Sequence, residues 1–265
     1  MNTISFISAN YVARELGYHM TGGWGQGDRA TQERFRPIET FAQRFEELLE
    51  EIVALGFDSV DIWTSHLHPA WATEEHITTA RDLLGKYGLK VVSLAGWIGG
   101  TLDELERSCQ IAAALGCRIL AAGTPLLEKD RAGTVAVLKR HDMVLAYENH
   151  PEKTPAEILA KVGDGGDGHI AACVDTGWFG TQGYDAAKGL EELRDVLAHV
   201  HLKDVFAVGA HDTCGYGRGV VPIRACVETL KRIGYQGAIS IEHEPEDRDP
   251  RPEIAESLAL LKEWM

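Results

Sequence analysis

The chain alternates short apolar runs with longer stretches in which apolar residues recur every three to four positions. Short apolar runs bounded by turn residues read as buried strands, and the 3.6-residue period reads as amphipathic helix. Phe45, Leu48, Leu49, Ile52 and Leu55 fall on one face of a helix over Phe41–Leu55, which meets Gly56 as its C-terminal cap. The predicted strands are Ile4–Tyr11, Ser59–Thr64, Lys90–Ala95, Arg118–Ala122, Met143–His150, Ile170–Val174, Val200–Lys203 and Gly237–Glu242. After that first helix, the predicted helices are Thr73–Tyr87, Leu102–Leu115, a segment within 128–140, Thr154–Val162, Ala186–Leu197, Val221–Ile233 and Glu253–Trp264.

Eight strands alternating with eight helices, with no linker-like shift in composition, predict an α/β chain forming a single (β/α)8 TIM barrel over residues 1–265. A doubly wound open sheet explains the alternation too, but not why neighbouring strands end in polar residues. The Gly-rich stretch TGGWGQGD lacks the Lys-Ser/Thr of a phosphate loop and reads as a mobile loop at the barrel mouth.

Four consecutive strands end in chemistry. MVLAYENH ends in Glu148, Asn149 and His150, IAACVD in Asp175, VHLKD carries His201, and ISIEHE carries Glu242. Side chains alternate along a strand, so Glu148 shares a face with Ala146, Asp175 with Cys173, and Glu242 with Ser240. The polar residues therefore point inward at the mouth, while bulkier apolar neighbours pack under helices. Three converging carboxylates repel unless a cation neutralises them. Glu148, Asp175, His201 and Glu242 thus read as ligands of one divalent metal. An oxygen-rich set with one imidazole suits Mn²⁺ first, then Mg²⁺ or Co²⁺.

Net charge is −14, with 40 acidic against 26 basic residues, which disfavours a nucleic-acid partner. No run approaches a membrane span, and the N-terminus lacks the basic and apolar regions of a signal peptide. The five cysteines include no CxxC and read as reduced core thiols, so the cytoplasm is the expected compartment.

The ordered motifs YENH, VDTG, VHLKD, GYGRG and ISIEHE resemble the xylose-isomerase-like, sugar phosphate isomerase/epimerase superfamily over nearly the whole chain. The resemblance implies a divalent-metal-dependent enzyme on a small carbohydrate or cyclitol, with Glu148 and Glu242 as acid/base groups flanking the substrate. It allows a homo-oligomer. Ketose 3-epimerases of the superfamily often carry a histidine three residues after the Asp, where this chain has Trp178. They tend to place an arginine shortly after the metal histidine, and the nearest candidate here is Arg218.

The implied chemistry is proton abstraction next to a carbonyl. Proton return gives an isomerase or epimerase; loss of a β-leaving group gives a lyase or dehydratase on a keto-sugar, 3-keto-glycoside or inosose. His150, two residues beyond Glu148, is a further candidate catalytic base. His66, His68, Trp97, Trp178, Lys203 and Arg218 are candidate substrate contacts, and Glu244 and His243 read as rim residues. Two other classes stand against this reading. One is a metal phosphodiesterase of the same barrel, disfavoured by the acidic charge. The other is a non-catalytic sugar-binding barrel, which would tolerate Glu148→Gln and Glu242→Gln.

Overall fold

A computed structural model describes residues 2–265. The ten strands are β1 (Ile4–Ile7), β2 (Ser59–Trp63), β3 (Lys90–Ala95), β4 (Ile119–Ala122), β5 (Val144–Glu148), β6 (Ile170–Asp175), β7 (Leu197–Leu202), β8 (Asp204–Val205), β9 (Thr213–Cys214) and β10 (Ile239–Ile241). All but β8 and β9 form one closed parallel barrel in the order β1-β10-β7-β6-β5-β4-β3-β2; β8 and β9 make a short antiparallel pair beside it. The helices are α1 (Trp24–Phe35), α2 (Ile38–Ala54), α3 (Glu74–Tyr87), α4 (Leu102–Ala114), α5 (Leu126–Lys129), α6 (Arg131–His141), α7 (Pro155–Val162), α8 (Thr176–Thr181), α9 (Ala186–Glu192), α10 (Ile223–Arg232) and α11 (Arg251–Trp264).

Several helices start where local chemistry sets them. Thr73, Thr101 and Thr154 cap α3, α4 and α7, each accepting from the N–H three residues on, which itself belongs to a residue bonding back. These reciprocal bonds satisfy amides that a helix start leaves free. Closure of the barrel divides the core in two. Leu120, Leu145, Val174, Val200 and Ile241 pack outward beneath the helices. Ala95, Ala121, Ala146 and Cys173 pack inside the barrel with Ile7 and Trp63. Small inward side chains leave space at the mouth for a cavity.

Three segments differ from the sequence expectation. The first strand stops at Ile7 and turns into a 3-10 helix over Ser8–Tyr11, whose side chains stay buried and so keep the run apolar. The Gly-rich stretch is no loop: α1 begins at Trp24 within it. Gly27 is needed there, because a Cβ would lie 2.2 Å from the carbonyl oxygen of Val12. The helix expected to run to Leu197 ends at Glu192, and β7 starts at Leu197, three residues before the expected Val200. No helix among the described residues is long and apolar enough to cross a membrane.

Candidate functional site

The C-terminal ends of β5, β6, β7 and β10 bring Glu148, Asp175, His201 and Glu242 together, with Asp175 and His201 fully buried. His201 Nδ1 lies 2.6 Å from Glu148 Oε1 and 3.6 Å from Glu242 Oε2. Lys203 Nζ lies 3.3 Å from Asp175 Oδ2, 3.2 Å from Glu242 Oε1 and 2.9 Å from Glu244 Oε2. Across the mouth, His150 sets Nδ1 3.5 Å from Glu148 Oε2 and Nε2 3.3 Å from Asp175 Oδ2. Asp175 also caps α8, accepting from the N–H groups of Gly177 and Trp178. Asn149 braces the β5 and β6 ends, donating to the Asp175 carbonyl and accepting from its N–H.

The electrostatics divide these carboxylates. Burial opposes the ionisation of Glu148, but the rings of His201 and His150 outweigh it and hold the carboxyl well below the usual range. Asp175 is likewise held low, its burial overcome by Lys203 and His150. Burial pushes Glu242 up to about 8, with Asp175 and Glu244 adding to the rise and Lys203 and His201 opposing it. Burial would lower His150, but its bonds to Asp175 and Glu148 raise it to about 10.

Three groups of side chains place possible metal-donor atoms within 4.8 Å of one another: Asp61–His199–His201, Glu148–Cys173–His201 and Glu148–His150–Asp175. Each contains only one or two of the four residues singled out in the sequence. In the first, Asp61 Oδ1 already accepts from Ser93 and His199, and Oδ2 from Ser5 and Ser240. A cation there would have to displace these donors. Nearer the mouth the donor set fits a cation better, because Glu242 Oε2 is buried and accepts no hydrogen bond. A buried acceptor without a partner is costly, and a cation removes that cost.

The cavity at this centre, about 480 Å³, is lined by Glu148, His150, His201, Lys203, Glu242 and Glu244, with Trp24, Trp63 and His211 among its other walls. Of the expected substrate contacts, Lys203 lines it, and Trp97 lines an adjoining space. Trp178 packs its ring 4.7 Å from that of His150 and donates from Nε1 to the Glu152 carbonyl. His66 and His68 are not on the cavity wall. His66 is buried, with Nδ1 3.1 Å from Ser8 Oγ and its ring against Phe35. His68 stacks on Trp71 and accepts from the Ala70 N–H. Arg218 lies outside as well, paired with Glu253 at 2.9 Å and with Glu256. Its loop is organised by Asp204, which accepts from the N–H groups of Gly217, Gly219 and Val221. Glu244 is a cavity residue rather than a rim one, and His243 is buried against Glu253 at 2.6 Å.

Sequence reasoning missed Trp24, Trp63, His211, Asp61 and His199. His211 sits between β8 and β9, in a segment without periodicity. Asp61 had a usable signal: a lone charge in the buried strand SVDIW, on the face shared with Trp63.

Residues 49–264 match the xylose isomerase-like TIM barrel family. A D-psicose 3-epimerase of Enterocloster bolteae is 24% identical over 77% of this chain and 78% of its own. Among solved structures, an L-ribulose 3-epimerase superposes with a TM-score of 0.72 at 16% identity, covering 100% of this chain and 94% of its own. A probable 3-DHS dehydratase from Bacillus anthracis superposes with a TM-score of 0.70 at 12% identity, covering 99% of both chains. The match over those 216 residues, together with the closed eightfold barrel, makes this chain a member of the xylose isomerase-like TIM barrel family.

Proposed function

We propose that the chain is a divalent-metal-dependent isomerase or epimerase of a small carbohydrate or cyclitol, working by proton transfer next to a carbonyl. The observation carrying this reading is His201 Nδ1 set between Glu148 Oε1 and the partnerless Glu242 Oε2. Two carboxyls flanking one imidazole form both a cation site and a pair of proton carriers. Glu148, Asp175, His201 and Glu242 would hold the cation, Mn²⁺ first. When bound, such a cation supplies Lewis acidity that stabilises negative charge developing beside the carbonyl. Glu148 and Glu242 remove and return the proton. Lys203, fixed by three carboxylates, orients a substrate oxygen and keeps the cluster from carrying its full negative charge.

A second reading, a lyase or dehydratase on a keto-sugar or inosose, is favoured by His150. Its ring faces both Glu148 and Asp175 at the mouth and provides a third proton carrier, which a single proton relocation does not need but a departing β-substituent does.

The test is metal content of protein purified without added metal, followed by solvent-deuterium incorporation into keto-sugars and inososes with Mn²⁺. One bound divalent ion and exchange beside the carbonyl, lost in Glu148→Gln, is the expected result. Unchanged product mass apart from the label then indicates isomerisation, and loss of water or an aglycone indicates elimination. Metal-free protein whose Mn²⁺ titration is unaltered by Asp175→Ala would overturn the reading.

A further inference from the structure

The cavity at the candidate metal centre adjoins a second space of about 540 Å³, which shares Trp24, Trp63, Gly96, Glu148 and His150 with it. This lobe crosses the loops after β3, β4 and β5, past Trp97 and Gly123–Pro125. Each space alone falls in the range of a small-ligand pocket, about 300–1,000 Å³. A one-ring substrate at Glu148 would leave the lobe unused.

Its walls indicate what fits. Trp97 is 45% exposed and Trp24 is 39% exposed, large apolar surfaces left open to water. An open indole face at a pocket is suited to a flat-faced ring. The backbone that carries Trp97 is anchored: its main-chain N–H donates to Thr64 Oγ1 at 2.9 Å. Gly96, with φ +105°, precedes it where a Cβ would lie 2.9 Å from both Thr64 Oγ1 and Trp63 Cδ1.

The charge of the lobe is as informative. Asp28, Glu128 and Glu152 line it, and Lys161 is the one lysine or arginine among its described lining residues. Lys161 is taken up by Glu152 at 3.4 Å and by Glu128, and the Tyr147 hydroxyl donates to Glu152 at 3.1 Å. The His150 ring, which also lines the lobe, is engaged by Glu148 at 3.5 Å and Asp175 at 3.3 Å. Both basic groups are thus already paired with carboxylates, and the acidic walls repel a phosphate.

We propose that the substrate carries a second, neutral ring: a glycoside whose outer sugar or aromatic aglycone lies against Trp24 and Trp97 while the reacting ring sits at Glu148. This rests on the reading of the main cavity as a carbohydrate site.

The test is calorimetric titration of the Mn²⁺-loaded protein with glucose, cellobiose, phenyl β-D-glucoside and glucose 6-phosphate, and with galactose, lactose and phenyl β-D-galactoside. The expected result is binding at least tenfold tighter for two-ring probes than for their one-ring counterparts, with glucose 6-phosphate no tighter than glucose. Trp97→Ala should abolish that gain with an unchanged melting temperature, and Trp97→Phe should retain it. Phenyl glycosides gaining more than disaccharides would assign the lobe to an aromatic aglycone, and the reverse order to a second sugar. Two-ring probes binding no tighter, a gain surviving in Trp24→Ala/Trp97→Ala, or glucose 6-phosphate binding tightest would each overturn the proposal. A two-ring gain in protein that exchanges no deuterium into keto-sugars would instead keep the lobe and remove the enzymatic reading of the main cavity.

Discussion

Lys203 Nζ stands 3.2 Å from Glu242 Oε1 in the interior of the barrel mouth, with the lysine side chain only 1% exposed. The same ammonium reaches Asp175 and Glu244, so a covalently attached cation is built into the carboxylate cluster. Burial alone would favour neutral lysine, yet the three carboxylates outweigh it and raise the group well above its ordinary value. Removing one partner from a buried ion cluster typically costs about 3–5 kcal/mol, because the others remain buried without compensation. Lys203→Met is therefore expected to lose stability of that order in urea denaturation without metal. A cation that binds only the native state adds stability. Mn²⁺ should then raise the melting temperature of Lys203→Met more than that of the parent protein, and an equal rise in both would count against metal and lysine sharing the cluster.

The same lysine is packed from below by the first turn of α8. A Cβ on Gly177 would lie 2.6 Å from Lys203 Cγ and 2.7 Å from Cδ. With Lys203 buried and pinned at its far end, the stem has little room to yield. Overpacking of this kind costs about 1–3 kcal/mol. Gly177→Ala is expected to lower stability by that amount and to change Mn²⁺ binding by displacing Lys203 within the carboxylate cluster. Thermal melts and metal titration of the variant check both, and Gly85→Ala, where a Cβ meets nothing within 4 Å, serves as the control.

The strand ends were legible because their inward neighbours are small. Ala146 before Glu148 and Cys173 before Asp175 mark the barrel interior, while Tyr147 and Val174 mark the helix side. Alternation alone thus separates the two faces. What escaped were features made by closure. Asp61 is held by Ser5, Ser93, His199 and Ser240 from four other strands, and no local pattern announces such a set. His199 was hidden because the apolar periodicity of α9 runs on past Glu192, where the helix has in fact ended. The start of α1 escaped for the opposite reason: Gly27 signals a loop by composition, but serves close approach of the helix to Val12. The second lobe depends on side chains from three loops and α1, whose positions relative to one another only the fold defines.

Beneath the mouth, the Asp61 carboxylate is expected to be a structural anchor. Its four donors lie between 2.5 and 2.7 Å. Burial opposes its ionisation, but His199, with His201 and the Ser240 hydroxyl, outweighs that and holds the carboxyl down to about 2. Asp61→Ala would remove the acceptor shared by three buried hydroxyls and an imidazole; Ser240 Oγ and His199 Nε2 still face each other at 3.2 Å, while Ser5 and Ser93 lose this partner. A buried group left truly unsatisfied costs about 1–3 kcal/mol. The expected loss is several kcal/mol by urea denaturation, with Asp61→Asn intermediate because the amide retains one acceptor oxygen. A loss below about 1 kcal/mol in Asp61→Ala would show that the serines find other partners.

His66 supplies a pH dependence away from the candidate ligands. It is 2% exposed, with its ring edge-on to Phe35 and Trp63 and one nitrogen beside Ser8 Oγ. Burial, with a smaller contribution from Arg14, pushes the imidazole down to about 3, so it is neutral in the native protein at neutral pH. The unfolded chain takes up a proton below about 6.5, and the native state does so only near 3. Stability from this residue is therefore fully present above 6.5 and is lost as pH falls towards 3. The slope approaches about 1.4 kcal/mol per pH unit, or roughly 2 kcal/mol between pH 7.5 and pH 5. His66→Gln cannot titrate, so its stability should fall less over that interval, by about that difference. Urea denaturation of both proteins at pH 7.5 and pH 5 reads it directly, and parallel losses in the two proteins would show that His66 is not buried neutral.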